Sequence, residues 1–175
     1  MENITVNDNI RIEKVQSALI KKGFQTVVLN SNKEVKDFIN TYVPDQCTVG
    51  LGDSITTCKL NVRNILYAKG SNIFYSWDGS ENYNRSMDTF DTLIRPDYYL
   101  TRINALTTDG EILMKDYSRK IALDSNFPAN VFAFAGLNRV VDKFEKKDSI
   151  KKYAVIKEKP EQCKFTVALL PFLDY

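Results

Sequence analysis

Histidine is absent from the 175 residues. That excludes Ser-His-Asp and Cys-His nucleophile chemistry, His general bases, and zinc or iron sites built on imidazole. Any catalysis must use carboxylates, Lys, Tyr, Cys or backbone donors. Cysteine is scarce. Cys47, Cys58 and Cys163 form no Cys-x-x-Cys pair, and an odd, sparse count suits reduced thiols better than a disulfide framework. A charge of one sign is missing too: 24 Lys and Arg against 22 Asp and Glu leave a net +2, too little to argue for nucleic acid. No apolar run approaches the ~18 residues that span a bilayer. The start, MENITVNDNIRIEK, lacks a signal peptide's apolar core. The expectation is a cytoplasmic protein without membrane association.

What is present is ordinary for a globular chain: 43% hydrophobic and 26% charged residues. The length suffices for one domain with a real core, here expected over residues 1–175. Apolar spacing predicts an amphipathic helix from about Asn9 to Lys22, stopped by Gly23. A β-branched strand follows from Phe24 to Leu29. Ser31-Asn32-Lys33-Glu34 has capping-box spacing and opens a helix to about Tyr42. Next come a strand from Cys47 to Leu51, a helix from Thr56 to Lys69 and a strand from Asn72 to Tyr75. A helix from Ser80 to Ile94 leads to a strand from Tyr98 to Ile103. Asp109-Gly110 signals a hairpin whose second arm is Glu111 to Met114. Asn130 to Ala135 and Lys164 to Leu170 read as buried parallel strands. A charged helix is expected from Val140 to Lys147, and Lys143 to Lys159 reads as a solvated surface. Strands alternating with helices imply βαβ crossovers and a mainly parallel sheet covered on both faces.

Ligands of open α/β sheets collect at the carboxyl ends of strands. Three segments fit. Gly50 to Thr57 is a strand-to-helix turn whose exposed N–H groups and helix N-terminus favour an anion. Its alternative reading is a tight turn with an ordinary Ser or Thr helix cap. It has neither Walker A nor G-x-G-x-x-G spacing. In the second segment, Thr101 to Ala105, Asn104 can orient a ligand and Arg102 can fork onto a carboxylate or phosphate; the alternative is a turn Asn and a surface Arg. In the third, Asp116 and Arg119 either line a pocket or pair with each other. Cys47 reads as core. Cys58 reads as a buried helix cysteine, with a thiol activated at a helix N-terminus as the rarer outcome.

Taken together these segments resemble the lactate-utilisation domain (LUD) family. Its members typically carry a Val-Gly-x-Gly-Gly-Ser-x-Thr turn, then Thr-Gly-x-Asn-Ala-Ile-Thr, then an Asp-Gly-x-Gly-Asn-Arg loop. Last comes an apolar strand ending in Gly-x-Asn-Lys before a Val-x-Asp helix. Here VGLGDSIT, TRINALTTDG, DYSR and VFAFAGLNRVVD stand in that order between about residues 10 and 145. The resemblance implies a three-layer α/β sandwich similar to the sugar-isomerase and CoA-transferase-like fold. It also implies a link to the oxidation of lactate or related acids, beside iron–sulfur and flavin partners. The chain departs from the pattern at several points. Asp53 replaces a second glycine, Cys58-Lys59 replaces a family Glu, and Arg102 replaces the glycine after Thr101. The loop from Asp116 to Arg119 is two residues shorter. Many small members carry a cysteine cluster near the C-terminus; Cys163 stands alone there, so no metal and no cofactor is expected.

The leading expectation is a protein that binds a small anionic metabolite, either a hydroxy- or keto-acid or a phosphorylated compound. Gly50, Gly52, Asp53, Ser54 and Thr56 would form one wall. Thr101 and Asn104 would orient the ligand, and Asp116 and Arg119 would supply a carboxylate and a cation. A second reading is a non-catalytic accessory or regulatory subunit that docks onto a redox-enzyme partner. A third, a sugar-phosphate isomerase or CoA transferase, rests on fold analogy alone. A homodimer is the base-rate expectation.

Overall fold

Thr5 opens the first helix, α1 (Val6–Lys21), with a capping box. Its hydroxyl accepts from the Asp8 N–H at 3.2 Å, and the Asp8 carboxylate accepts from the Thr5 N–H at 2.9 Å. Gly23, at φ +84°, ends the helix. Strand β1 (Gln25–Val28) leads to α2 (Asn32–Tyr42), where the Ser31 hydroxyl caps the Glu34 N–H. Then follow β2 (Thr48–Gly52), α3 (Ile55–Lys59), α4 (Val62–Ala68), β3 (Asn72–Ser76) and β4 (Tyr98–Arg102). The remaining elements are β5 (Ala105–Thr107), β6 (Ile112–Lys115), β7 (Asn130–Gly136), β8 (Val140–Val141), β9 (Tyr153–Ile156) and β10 (Lys164–Leu170). The computed structural model describes residues 5–52, 55–76, 96–115, 128–144 and 153–173.

Six strands form a parallel sheet in the order β1-β10-β7-β4-β2-β3. Its central strands are apolar on both faces. Val131, Ala133, Ala135, Phe165, Val167 and Leu169 join one core with Ile12, Val15 and Leu19 of α1. Phe132, Phe134, Ala168 and Leu170 join the other with Val35, Phe38 and Ile39 of α2 and with Leu66 of α4. A second, four-stranded sheet in the order β8-β5-β6-β9 lies with α1, since Leu106, Ile112, Val140 and Ile156 belong to that first core. The three expected layers are therefore present, but one outer layer is a helix plus a small sheet. Its hairpin turns at Gly110, φ +79°, where a Cβ would meet the Ala18 backbone carbon at 3.0 Å. Glycine is needed there both for the turn and for the close approach of α1.

Several expectations are corrected. The helix expected from Thr56 to Lys69 is two helices broken at Leu60 and Asn61, the latter in the left-handed region at φ +54°. Asn tolerates that conformation at low cost. In place of the helix expected from Val140 to Lys147, a 3-10 turn, Leu137–Arg139, leads into β8, which pairs in parallel with β5; residues 145–147 of that stretch lie outside the described residues. Ile156, in the stretch read as solvated surface, is buried, because β9 completes the small sheet. Cys58 is exposed and Cys47 is half-buried, whereas Cys163 is buried. The helix expected from Ser80 to Ile94 lies outside the described residues. No helix among the described residues is long and apolar enough to cross a membrane.

At the amino ends of β2 and β4, Thr48 and Asp97 clip the strands together. The Thr48 N–H and hydroxyl donate to Asp97 Oδ2 at 2.9 and 2.6 Å, and the Asp97 N–H donates to Thr48 Oγ1 at 3.0 Å. These bonds hold the Asp97 carboxyl below the usual carboxylate value, the side-chain bond from Thr48 contributing most. A carboxyl depressed by folding stabilises above its unfolded pKa, and that contribution disappears as pH falls through the folded value. Thr48→Val should therefore cost about 0.5–1 kcal/mol near neutral pH. The gap from wild type should close below about pH 4, as read from urea unfolding at a series of pH values.

Candidate functional site

The parallel strands β2 and β4 are neighbours, with Leu51 opposite Leu100. Beyond Gly52 the chain turns toward α3 and α4, whose Leu60, Val62 and Leu66 lie on the α2 face. Beyond Arg102 it turns the other way into β5, whose Leu106 lies on the α1 face. Ligands of α/β sheets usually bind in a crevice between adjacent parallel strands whose continuations leave to opposite faces, and β2 and β4 meet that topological condition. The Ile103 N–H donates to the Phe134 carbonyl at 2.8 Å and the Asn104 N–H to the Leu113 carbonyl at 2.9 Å. These bonds fix the passage from the large sheet to the small one beside that point.

Gly52 and Thr101 meet side by side there. A Cβ on Gly52 would lie 2.5 Å from Thr101 Oγ1 and 3.0 Å from Thr101 Cβ. Thr101 is 6% exposed, and its hydroxyl has no hydrogen-bond partner among the described residues. Strand alternation sends the next side chain, Arg102, to the other face. Arg102 is half-buried and forms no ion pair among the described residues. A threonine at a mostly buried position and a guanidinium without an ion pair among the described residues thus sit in sequence at the carboxyl end of a central strand.

The other expected residues are placed unevenly. Thr56 is buried in α3, and the neighbouring Thr57 hydroxyl donates to the Gly52 carbonyl at 3.0 Å, tying α3 to the end of β2. α3 has only five residues, so the helix-dipole attraction expected of this turn has little force. Asn104 is half-buried just past β4. Gly50 lies within β2 rather than in the turn. Asp53, Ser54, Asp116 and Arg119 lie outside the described residues. At the end of β7, a Cβ on Gly136 would meet the Leu173 carbonyl oxygen at 2.4 Å and Asn138 Oδ1 at 2.8 Å. That glycine admits the C-terminal segment against the sheet. Among the described residues no three His, Cys, Asp or Glu side chains gather as a metal site.

Sequence reasoning singled out nothing at the opposite end of the sheet, where a hollow opens between α2 and the amino ends of the strands. The signal was available. Lys164 and Thr166 alternate on one face of β10, and a polar pair in a strand otherwise buried on both faces marks a break in the core.

The Gly52–Thr101 contact predicts a coupled pair. Gly52→Ala should destabilise by about 1–3 kcal/mol through overpacking. Combined with Thr101→Ala, which removes the closest atom, the cost should fall well below the sum of the single changes. Chemical unfolding of the four proteins measures it, and strict additivity would contradict the contact.

No curated protein matches the chain. A DUF162 family protein from Deinococcus radiodurans shares the fold, with a TM-score of 0.59 at 9% identity over 93% of this chain and 97% of that one. The eIF2B beta structure from Chaetomium thermophilum gives a TM-score of 0.46 at 12% identity over 71% of this chain and 44% of that one. The translation initiation factor eIF-2B of Pyrococcus horikoshii OT3 gives 0.45 at 11% identity over 82% and 53%. A family model of the LUD domain matches residues 12–166, nearly the whole parallel sheet and its covers, and so the chain belongs to the LUD domain family.

Proposed function

We propose that this LUD-family protein binds a small anionic metabolite in the crevice between β2 and β4, the ligand being a hydroxy- or keto-acid or a phosphorylated compound. The family connects the chain with lactate utilisation at the family level; the ligand class and its site are the proposal. The observation that carries it is Thr101, a hydroxyl 6% exposed at the switch point of the sheet, without a partner among the described residues. Ser71 Oγ, not the Thr101 hydroxyl, is the fully enclosed side-chain oxygen without a partner among the described residues, so the Thr101 oxygen can exchange a water for a ligand oxygen. Arg102 supports the sign of the ligand, because a guanidinium binds carboxylate or phosphate with two parallel hydrogen bonds. In this reading Gly50, Gly52, Asp53, Ser54 and Thr56 form the wall on the β2 side. Asn104 orients the ligand, and Arg119 adds a second cation. With no histidine in the chain, proton transfer falls to a carboxylate, and Asp116 holds that role.

The test is a thermal-shift and calorimetric screen of lactate, pyruvate, other organic acids and sugar phosphates. One class should raise Tm saturably. Arg102→Ala should weaken that ligand about ten- to hundredfold, the size of a charged hydrogen-bonded contact. Thr101→Val should weaken it about two- to tenfold and change the stability of the unliganded protein by less than about 1 kcal/mol. Affinity unchanged in both variants would overturn the assignment.

A further inference from the structure

The hollow at the amino end of the sheet is an open groove of about 710 Å³ that continues past β1 to Ile20 and Phe24 on the α1 side. It exists because α2 covers only part of the sheet face beneath it. Its floor is built from four adjacent strands whose side chains point to the α2 side. Gln25 lies beside Thr166, whose hydroxyl donates to Gln25 Oε1 at 3.1 Å. Lys164 lies beside Asn130, and Asn130 beside Tyr98. One residue row further in, Thr166 faces Phe132. A run of four aromatic rings forms the wall. Tyr42 and Phe38 have centroids 4.9 Å apart, Phe38 and Phe132 4.9 Å, and Phe132 and Tyr98 5.8 Å. Tyr42 is 57% exposed, so this wall ends in solvent.

Among the described residues, Lys164 is the hollow's one cation. It is exposed at the start of β10 and forms no ion pair among the described residues. No carboxylate among the described residues lines the hollow. The nearest in sequence, Asp97, is occupied by Thr48. Pockets for small ligands usually span roughly 300–1,000 Å³, with mainly apolar walls and a few polar groups that set orientation. Ring faces favour a flat partner, through offset or edge contacts, and a lone ammonium favours an anionic end.

We infer that the hollow between α2 and the amino ends of β1, β10, β7 and β4 is a second ligand site, which takes a planar carboxylate. Its flat body lies along Phe38, Tyr42 and Phe132, and its carboxylate meets Lys164. This site stands at the opposite end of the strands from the β2–β4 crevice and does not depend on it. The experiment is calorimetric titration of the full chain with 2-naphthoate and, separately, with its neutral counterpart 2-naphthalenemethanol. Both should bind saturably at one site. Lys164→Gln should weaken 2-naphthoate about two- to fivefold, the size of one solvent-exposed charge pair, and leave 2-naphthalenemethanol unchanged. Tyr42→Ser should weaken both about two- to tenfold. Thr101→Val, at the other end of the sheet, should change neither. Absence of saturable 2-naphthoate binding would overturn the inference. So would wild-type affinity in both Lys164→Gln and Tyr42→Ser, or a loss of 2-naphthoate binding in Thr101→Val.

Discussion

The parallel sheet buries both of its faces, and the rest of the structure follows from that constraint. In β7 and β10 the two sets of side chains differ in size and match across the strands. Toward α2, Phe134 lies beside Ala168; toward α1, Ala133 lies beside Val167 and Ala135 beside Leu169. A slip of one residue would exchange the sets and bring Phe132 and Phe134 beneath α1, where alanines now stand. Register is thus set by volume on both sides rather than by a choice between core and water. The edge-to-face pair of Phe24 and Phe165, 5.2 Å apart, closes the α1 side where β1 begins.

Because both faces need a cover, every strand must send its continuation to one side or the other. β1 and β2 send theirs to the α2 face as α2, α3 and α4. β4 and β7 send theirs to the α1 face, where β5 and β8 pair in the small sheet. One change of side falls between β2 and β4. The topological switch there is therefore a consequence of how the chain covers its sheet. The same constraint explains the hollow at the other end. α2 ends at Tyr42, leaving the amino-terminal rows of β10 and β7 without a helix above them.

Much of this architecture was legible because it rests on local rules. Capping at Ser31, the stop at Gly23, the Asp109-Gly110 hairpin and the two all-apolar strands each announce themselves within a few residues. What stayed hidden depended on distant partners. Val140–Val141 forms a strand only because β5 runs beside it, and its own neighbours, rich in lysine and aspartate, read as a helix. β9 was lost in a charged stretch because only Ile156 is fully buried there. Asn61 broke a helix whose apolar spacing continued through it, since periodicity reports the buried face and is insensitive to one left-handed residue. At the ends of β2 and β4, residue types drew attention to the turn, yet nothing in the sequence showed that Gly52 would pack against Thr101.

That last point alters which residues bear on function. Glycines in a turn after a strand invite the idea of a backbone cradle, and Gly52 and Gly136 occupy such places. The structure gives each a packing reason. A methyl group at 52 would strike Thr101, and one at 136 would strike the Leu173 carbonyl. Both would be required even if nothing ever bound, so neither is a witness to a ligand. Arg102 is different. It replaces a small residue in the family pattern, and packing does not call for a half-buried guanidinium at the end of a central strand. Desolvating an unpaired cation opposes folding, and a bound anion would remove that penalty. Binding in the proposed reading therefore rests less on the glycine turn than on β4, where Arg102 forms no ion pair among the described residues.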